Sequence, residues 1–108
     1  MHHFTLYTHP YSRGVNVVWM LKECGAQYDV KLIPFGKAMK SADYRAVNPM
    51  GKVPALKADG AVLTETAAII TFLAEQFPGK HLIPDAGSLA RGEFYRWLCF
   101  AIHLEYAG

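Results

Sequence analysis

Apolar and polar residues alternate almost from the start of the chain. Phe4, Leu6 and Thr8 fall on one face of an extended segment, Thr5 and Tyr7 on the other. The run is short, rich in β-favouring residues and stopped by Pro10, which predicts a strand over 4–8. After a turn through Pro10, Tyr11 and Ser12 the period changes. Val17, Met20, Leu21 and Cys24 recur at i, i+3, i+4 and i+7, the pattern of an amphipathic helix, and Gly25 ends it. Val15, Val18 and Trp19 widen its apolar arc, so this helix is expected to lie on a sheet and to be touched on a second side. Residues 28–33 predict a second strand, closed by Pro34. The polar stretch 36–47 predicts an irregular loop with a short helix.

Two short strands follow, 52–57 and 61–63, joined through Asp59 and Gly60, a pair that tolerates the positive φ of a tight hairpin. Ile70, Leu73, Ala74 and Phe77 then repeat the helical spacing up to Pro78 and Gly79. Residues 81–87, with Pro84 and Gly87, predict a linker. Ser88 is placed to cap a last helix, in which Phe94, Trp97, Leu98 and Ala101 form a stripe that Tyr95, Cys99 and Ile102 broaden. A strand–helix–strand unit followed by a hairpin and a helix gives an α/β fold, a mixed sheet with helices on both faces. The last helix is apolar over a broad arc, and little chain follows to cover it. It packs back on the sheet domain, meets a partner, or belongs to a chain shorter than its ancestral form.

Composition narrows the function classes. The chain has 108 residues, enough for one compact domain. A formal charge of +2 with scattered Lys and Arg carries no nucleic-acid footprint. No apolar run approaches the roughly 18 residues needed to span a bilayer. The start, Met1 to Phe4, enters a strand pattern at once, so no signal peptide is expected. The cysteines, Cys24 and Cys99, stand far apart in apolar helical patterns, as in a reduced, cytoplasmic protein. No zinc spacing can be made from them and the five histidines, so no metal is expected.

Three segments carry candidate chemistry. In Leu6-Tyr7-Thr8-His9-Pro10-Tyr11-Ser12-Arg13-Gly14 a strand turns into a helix start, where unpaired N–H groups favour an anion. Ser12 would either cap that helix or donate its hydroxyl to a bound thiolate; a serine hydroxyl is too weak an acid to serve as a base there. In Asn48-Pro49-Met50-Gly51-Lys52-Val53-Pro54-Ala55-Leu56, Pro54 sits near the start of a strand, where proline is usually confined to an edge. A trans bond is the default on physical grounds. A cis Val53–Pro54 bond would turn the Val53 backbone outward to pair with an extended peptide. In Leu63-Thr64-Glu65-Thr66-Ala67-Ala68-Ile69 a strand runs into a helix. Either this is an ordinary capped helix, or Thr66 and its neighbouring N–H groups hold a carboxylate while Glu65 accepts an ammonium.

These three segments, in this order and with these elements between them, resemble the N-terminal, thioredoxin-like domain of glutathione transferases. The resemblance covers roughly residues 4–77 and, weakly, the last helix. It implies a βαβ plus ββα domain over 1–80, a linker over 81–87 and, over 88–108, the first helix of an all-α domain. It implies a cis-proline at Pro54, backbone pairing of Val53 with the cysteinyl part of glutathione, binding of the γ-glutamyl end by Glu65 and Thr66, and contact from Lys52. Ser12 falls where serine-type members keep the residue that activates the thiol, with Tyr7, Tyr11 and Arg13 as rivals for that position. The expected activity is conjugation of glutathione, a substrate with no further cofactor, to small electrophiles, by a homodimer. The alternative is a non-catalytic interaction or regulatory module of the same fold. His9-Pro10-Tyr11-Ser12 also resembles the glutaredoxin C-P-Y-C site, but neither cysteine position holds a thiol, so disulfide exchange is not expected. His9 is either a ligand contact or a surface residue.

Overall fold

The computed structural model describes residues 3–9, 14–34 and 40–107, the stretch 102–107 by its backbone alone. The elements follow in the order β1 (Phe4–Thr8), α1 (Gly14–Cys24), β2 (Tyr28–Leu32), α2 (Ala42–Arg45), β3 (Ala55–Ala58), β4 (Ala61–Thr64), α3 (Thr66–Gln76), a 3-10 turn (Pro78–Lys80) and α4 (Leu89–Ala107). The strands form one sheet in the order β2-β1-β3-β4. β1 and β2 run parallel, while β1–β3 and β3–β4 are antiparallel. This is the thioredoxin-like α/β architecture, followed by one further helix, α4.

Alternation along the strands divides the core between the two faces of the sheet. Phe4 and Leu6 of β1 and Leu56 of β3 point to the side carrying α1 and α3. There they join Val17, Leu21 and Cys24 of α1 and Ile69 and Leu73 of α3. Leu6, Leu56 and Leu63 lie in one row across three strands. On the opposite face Tyr7 and Ala55 pack with Tyr44 of α2, bordered by Ile33, Val47, Val53 and Val62. Helices therefore cover both faces, although α2 is only one turn long, capped by the Ser41 side chain on the Tyr44 amide.

Gly25 ends α1 at φ +68°, a conformation that suits a residue without a Cβ. Asp59 and Gly60 join β3 to β4 with both residues at positive φ, and the Asp59 carboxylate accepts from the His3 amide.

Two expectations are corrected. Pro54 does not mark an edge strand, because β3 lies between β1 and β4. Pro54 is tolerated because the strand begins one residue later, at Ala55, so its missing N–H costs the ladder nothing. The strand also does not begin at Lys52, whose carbonyl is taken by side chains instead of a neighbouring strand.

Ser88 caps α4 as expected, its hydroxyl accepting from the Arg91 amide. Arg91, 6% exposed, fastens the start of α4. It donates to the Pro84 carbonyl at 2.7 Å and the Tyr95 hydroxyl at 3.0 Å, and its Nη2 pairs with the Glu75 carboxylate on α3. Farther along, Trp97 and Phe100 remain more than half exposed. Among the described residues no helix is long and apolar enough to cross a membrane.

Candidate functional site

The register of the sheet collects the three candidate segments at one end. Tyr7 of β1 stands opposite Ala55 of β3, and Ala55 stands opposite Thr64 of β4. At that end β1 leads into the 10–13 segment and the start of α1. Val53-Pro54 leads into β3, and β4 leads into Glu65-Thr66 and the start of α3. Strands are spaced about 4.8 Å apart, so the row spans about 10 Å. The strand order also reverses here: the chain adds β2 on one side of β1 and then β3 on the other. Open α/β sheets hold ligands at such points.

Ser12, Tyr11 and Arg13 lie outside the described residues. Their place in the chain is bracketed by Thr8 at the end of β1 and Gly14 at the start of α1. Tyr7 is a core residue, 8% exposed, with its ring 6.0 Å from that of Tyr44 and the Lys31 ammonium over it at 5.8 Å. His9 is half-buried just beyond β1.

The Val53–Pro54 bond is cis. Val53 is half-buried, and its amide and carbonyl make no hydrogen bond to another described residue. Lys52 has an exposed side chain, but its carbonyl oxygen is held from two directions. The Tyr44 hydroxyl donates to it at 2.6 Å and the Asn48 Nδ2 at 2.9 Å.

Asn48 is 3% exposed and uses its other amide atom too, Oδ1 accepting from the Met50 N–H at 3.0 Å. Burial pushes the Tyr44 hydroxyl above the usual tyrosine range, against a smaller opposite effect from its hydrogen bond with Asn48. Sequence patterning passes over Tyr44 and, although Asn48 opens a candidate segment, gives it no role. Ser41, a good N-cap three residues before Tyr44, and the Asn48-Pro49 turn pair were the available signals.

Glu65 is not an ordinary helix cap. It sits at φ +72°, ψ +118°, sparsely populated for a residue with a Cβ, and its side chain makes no capping hydrogen bond. The first helical bond of α3 is from the Ile69 amide to the Glu65 carbonyl. The amides of Thr66, Ala67 and Ala68 therefore precede the hydrogen-bonded turns, at the positive end of the helix dipole. Thr66 is 7% exposed and the Glu65 side chain lies open. Among the described residues no group of three or more His, Cys, Asp or Glu side chains is placed to hold a metal ion.

Residues 10–76 match the family "Glutathione S-transferase, N-terminal domain". Glutathione S-transferase GstA of Escherichia coli O157:H7 is 37% identical over 81 residues, which cover 72% of this chain and 40% of that protein. Probable maleylacetoacetate isomerase 2 of Drosophila melanogaster is 42% identical over 74 residues, 66% of this chain and 32% of the relative. Among solved structures, a glutathione transferase from Methylococcus capsulatus superposes with a TM-score of 0.84 at 34% identity, over 90% of this chain and 49% of that one. A glutathione transferase homolog from Sulfitobacter, solved with bound glutathione, gives 0.80 at 32% identity, over 99% of this chain and 53% of that one. The chain thus spans 40% or less of these curated relatives and about half of these solved chains. By this match across more than half its length, the chain belongs to the glutathione S-transferase family through that family's N-terminal domain.

Proposed function

We propose that this chain binds glutathione across the end of its sheet and presents the sulfur, as thiolate, to small electrophiles: a glutathione transferase. The observation that carries the reading is the Tyr7–Ala55–Thr64 row. Its span of about 10 Å is that of an extended tripeptide. Glu65, held in an unfavourable conformation beside an uncapped helix start, suits the γ-glutamyl end: its carboxylate takes the ammonium, and Thr66 with the α3 amides takes the α-carboxylate. The Val53 backbone, without a hydrogen-bond partner among the described residues, suits the cysteinyl residue, and the Lys52 ammonium suits a terminal carboxylate.

The sulfur then lies toward the 10–13 segment. Ser12 is the donor we assign to it, and burial of Tyr7 in the α2-side core supports Ser12 over that rival. A free thiol ionises near pH 8.5, so about 3% is thiolate at pH 7; lowering the pKa by 1.5 units raises that share to about 50%. The thiolate attacks an electrophilic carbon, the new C–S bond forms, and the leaving group departs with its electron pair. Relatives named maleylacetoacetate isomerases suggest a second fate for the same thiolate, addition to a double bond followed by its release. Glutathione is here a substrate, and no cofactor is invoked. We assign residues 1–80 to the glutathione domain, 81–87 to a linker and 88–108 to the start of an all-α domain, in a cytoplasmic homodimer.

Titration calorimetry of the chain with glutathione tests the binding reading, and conjugation to an aryl halide tests the chemistry. Heat of association at millimolar ligand and turnover lost in Ser12→Ala are expected; no heat would sink the proposal. The exposed Trp97 and Phe100 on α4 favour a second reading, a non-catalytic interaction module. Binding without turnover would select it.

A further inference from the structure

The geometry points to Tyr44 and Asn48 as positioning residues for the ligand-facing amide of Val53. The inference rests on the glutathione reading above and names how that site is aimed. The carbonyl of Lys52 and the N–H of Val53 belong to one peptide unit, which is trans. In a planar trans peptide the two groups point in opposite directions. Whatever fixes the carbonyl therefore fixes the amide.

Here the carbonyl oxygen receives two donors, the Tyr44 hydroxyl at 2.6 Å and the Asn48 Nδ2 at 2.9 Å. Both donors are rigid. Tyr44 is 4% exposed and its ring packs on Tyr7. Asn48 is 3% exposed and is tied by three further bonds: Oδ1 accepts from the Met50 amide, its carbonyl accepts from the Gly51 amide at 2.8 Å, and its own amide donates to the Tyr44 carbonyl at 2.9 Å. With the carbonyl saturated on the buried side, the Val53 N–H is turned the other way, where no described residue accepts it. Two donors on the oxygen also polarise the peptide and strengthen its N–H as a donor. The pair acts on a ligand only through this peptide plane.

The test uses the 108-residue chain and glutathione as probe, read by calorimetry and by ¹H–¹⁵N spectra. Tyr44→Phe removes one hydroxyl and keeps the ring. Asn48→Asp keeps the acceptor for Met50 and withdraws the donor. Tyr44→Phe is expected to raise the glutathione Kd about fivefold and Asn48→Asp about tenfold or more. At saturating glutathione the ligand-induced shift of the Val53 amide should shrink in both variants while that of the Thr66 amide is retained. A merely structural role would reduce both shifts together, and that result overturns the inference, as do variants that bind with the wild-type Kd. If Asn48→Asp fails to fold, Tyr44→Phe alone carries the test. Failure of the wild-type chain to bind glutathione would instead remove the underlying reading and this inference with it.

Discussion

Glu65 trades local comfort for placement. Its φ of +72° is a conformation that glycine adopts freely and a side-chain-bearing residue does not. Glu65→Gly should therefore stabilise the chain by about 1 kcal/mol while weakening glutathione binding by tenfold or more, since the open carboxylate is lost. Chemical denaturation and calorimetry on the same sample read both effects, and a variant that loses stability would contradict the strain argument.

Tyr44 makes a different prediction at the same scale. Its hydroxyl pKa is raised in the folded chain by burial. The neutral form is thus favoured on folding, and its contribution to stability is complete below the unfolded tyrosine value near pH 10. That contribution is lost as pH climbs from there through the folded value. Unfolding midpoints measured between pH 8 and 11 should fall more steeply for the wild type than for Tyr44→Phe.

Legibility in the sequence also differs residue by residue. Val53, Pro54, Glu65 and Thr66 stand out because they sit at junctions between periodic segments. The pattern alone nevertheless favours a trans bond at Pro54 and an ordinary helix cap at Glu65, and their expected roles come only with the family resemblance. Tyr44 and Asn48 are less legible still, because their role depends on a carbonyl four to eight positions away that patterning treats as part of a strand.

At the scale of elements, hydrophobic period carried most of the information. β1 is expected over the very residues that form it, and α1 and α3 are identified by their stripes, although on α3 the core takes Ile69 beside Leu73 while Ile70 of the expected stripe lines the groove against α1. Boundaries slipped where side chains compete with the ladder, as at Lys52, or where a helix is a single turn, as at α2. What period could not convey is how α4 attaches. That depends on Arg91, a charged residue that patterning assigns to solvent and the structure buries. Arg91→Met should release the clamp on Pro84, Glu75 and Tyr95. Hydrogen exchange of the α4 amides is then expected to accelerate by about tenfold, with β1 and β3 amides unchanged, since local opening of a terminal helix need not unfold the sheet. Equal acceleration throughout would mean that α4 and the sheet unfold as one unit.

For the molecule as a whole, the notable feature is how much apolar surface stays uncovered. Trp19 on α1 is 67% exposed, Trp97 on α4 56% and Phe100 51%. Between α1 and α3 an apolar groove of about 500 Å³ is lined by Trp19, Met20, Ile70 and Leu82, with Asn16 and Glu23 at its edge. Surfaces of this kind drive association. The homodimer assigned above predicts sedimentation at twice the chain mass of 12.0 kDa at micromolar concentration. Trp97→Glu should shift that equilibrium toward the single chain. A wild-type chain that sediments as a monomer would remove the homodimer from the proposal.

The Asp59-Gly60 turn lies at the far end of its hairpin from the candidate site, yet it sets the site's dimensions. Pairing of Ala58 with Ala61 fixes which residue of β4 comes level with Ala55, and hence how far Glu65 stands from Val53. A single residue inserted beside Gly60 would either be absorbed as a bulge or slide the fourth strand by about 3.4 Å and turn Leu63 from core to the opposite face. On the proposed glutathione reading, the two grips on the tripeptide then fall out of step although neither has been substituted. The loop would thus work as a gauge, and affinity for glutathione is predicted to report on a turn remote from the proposed site.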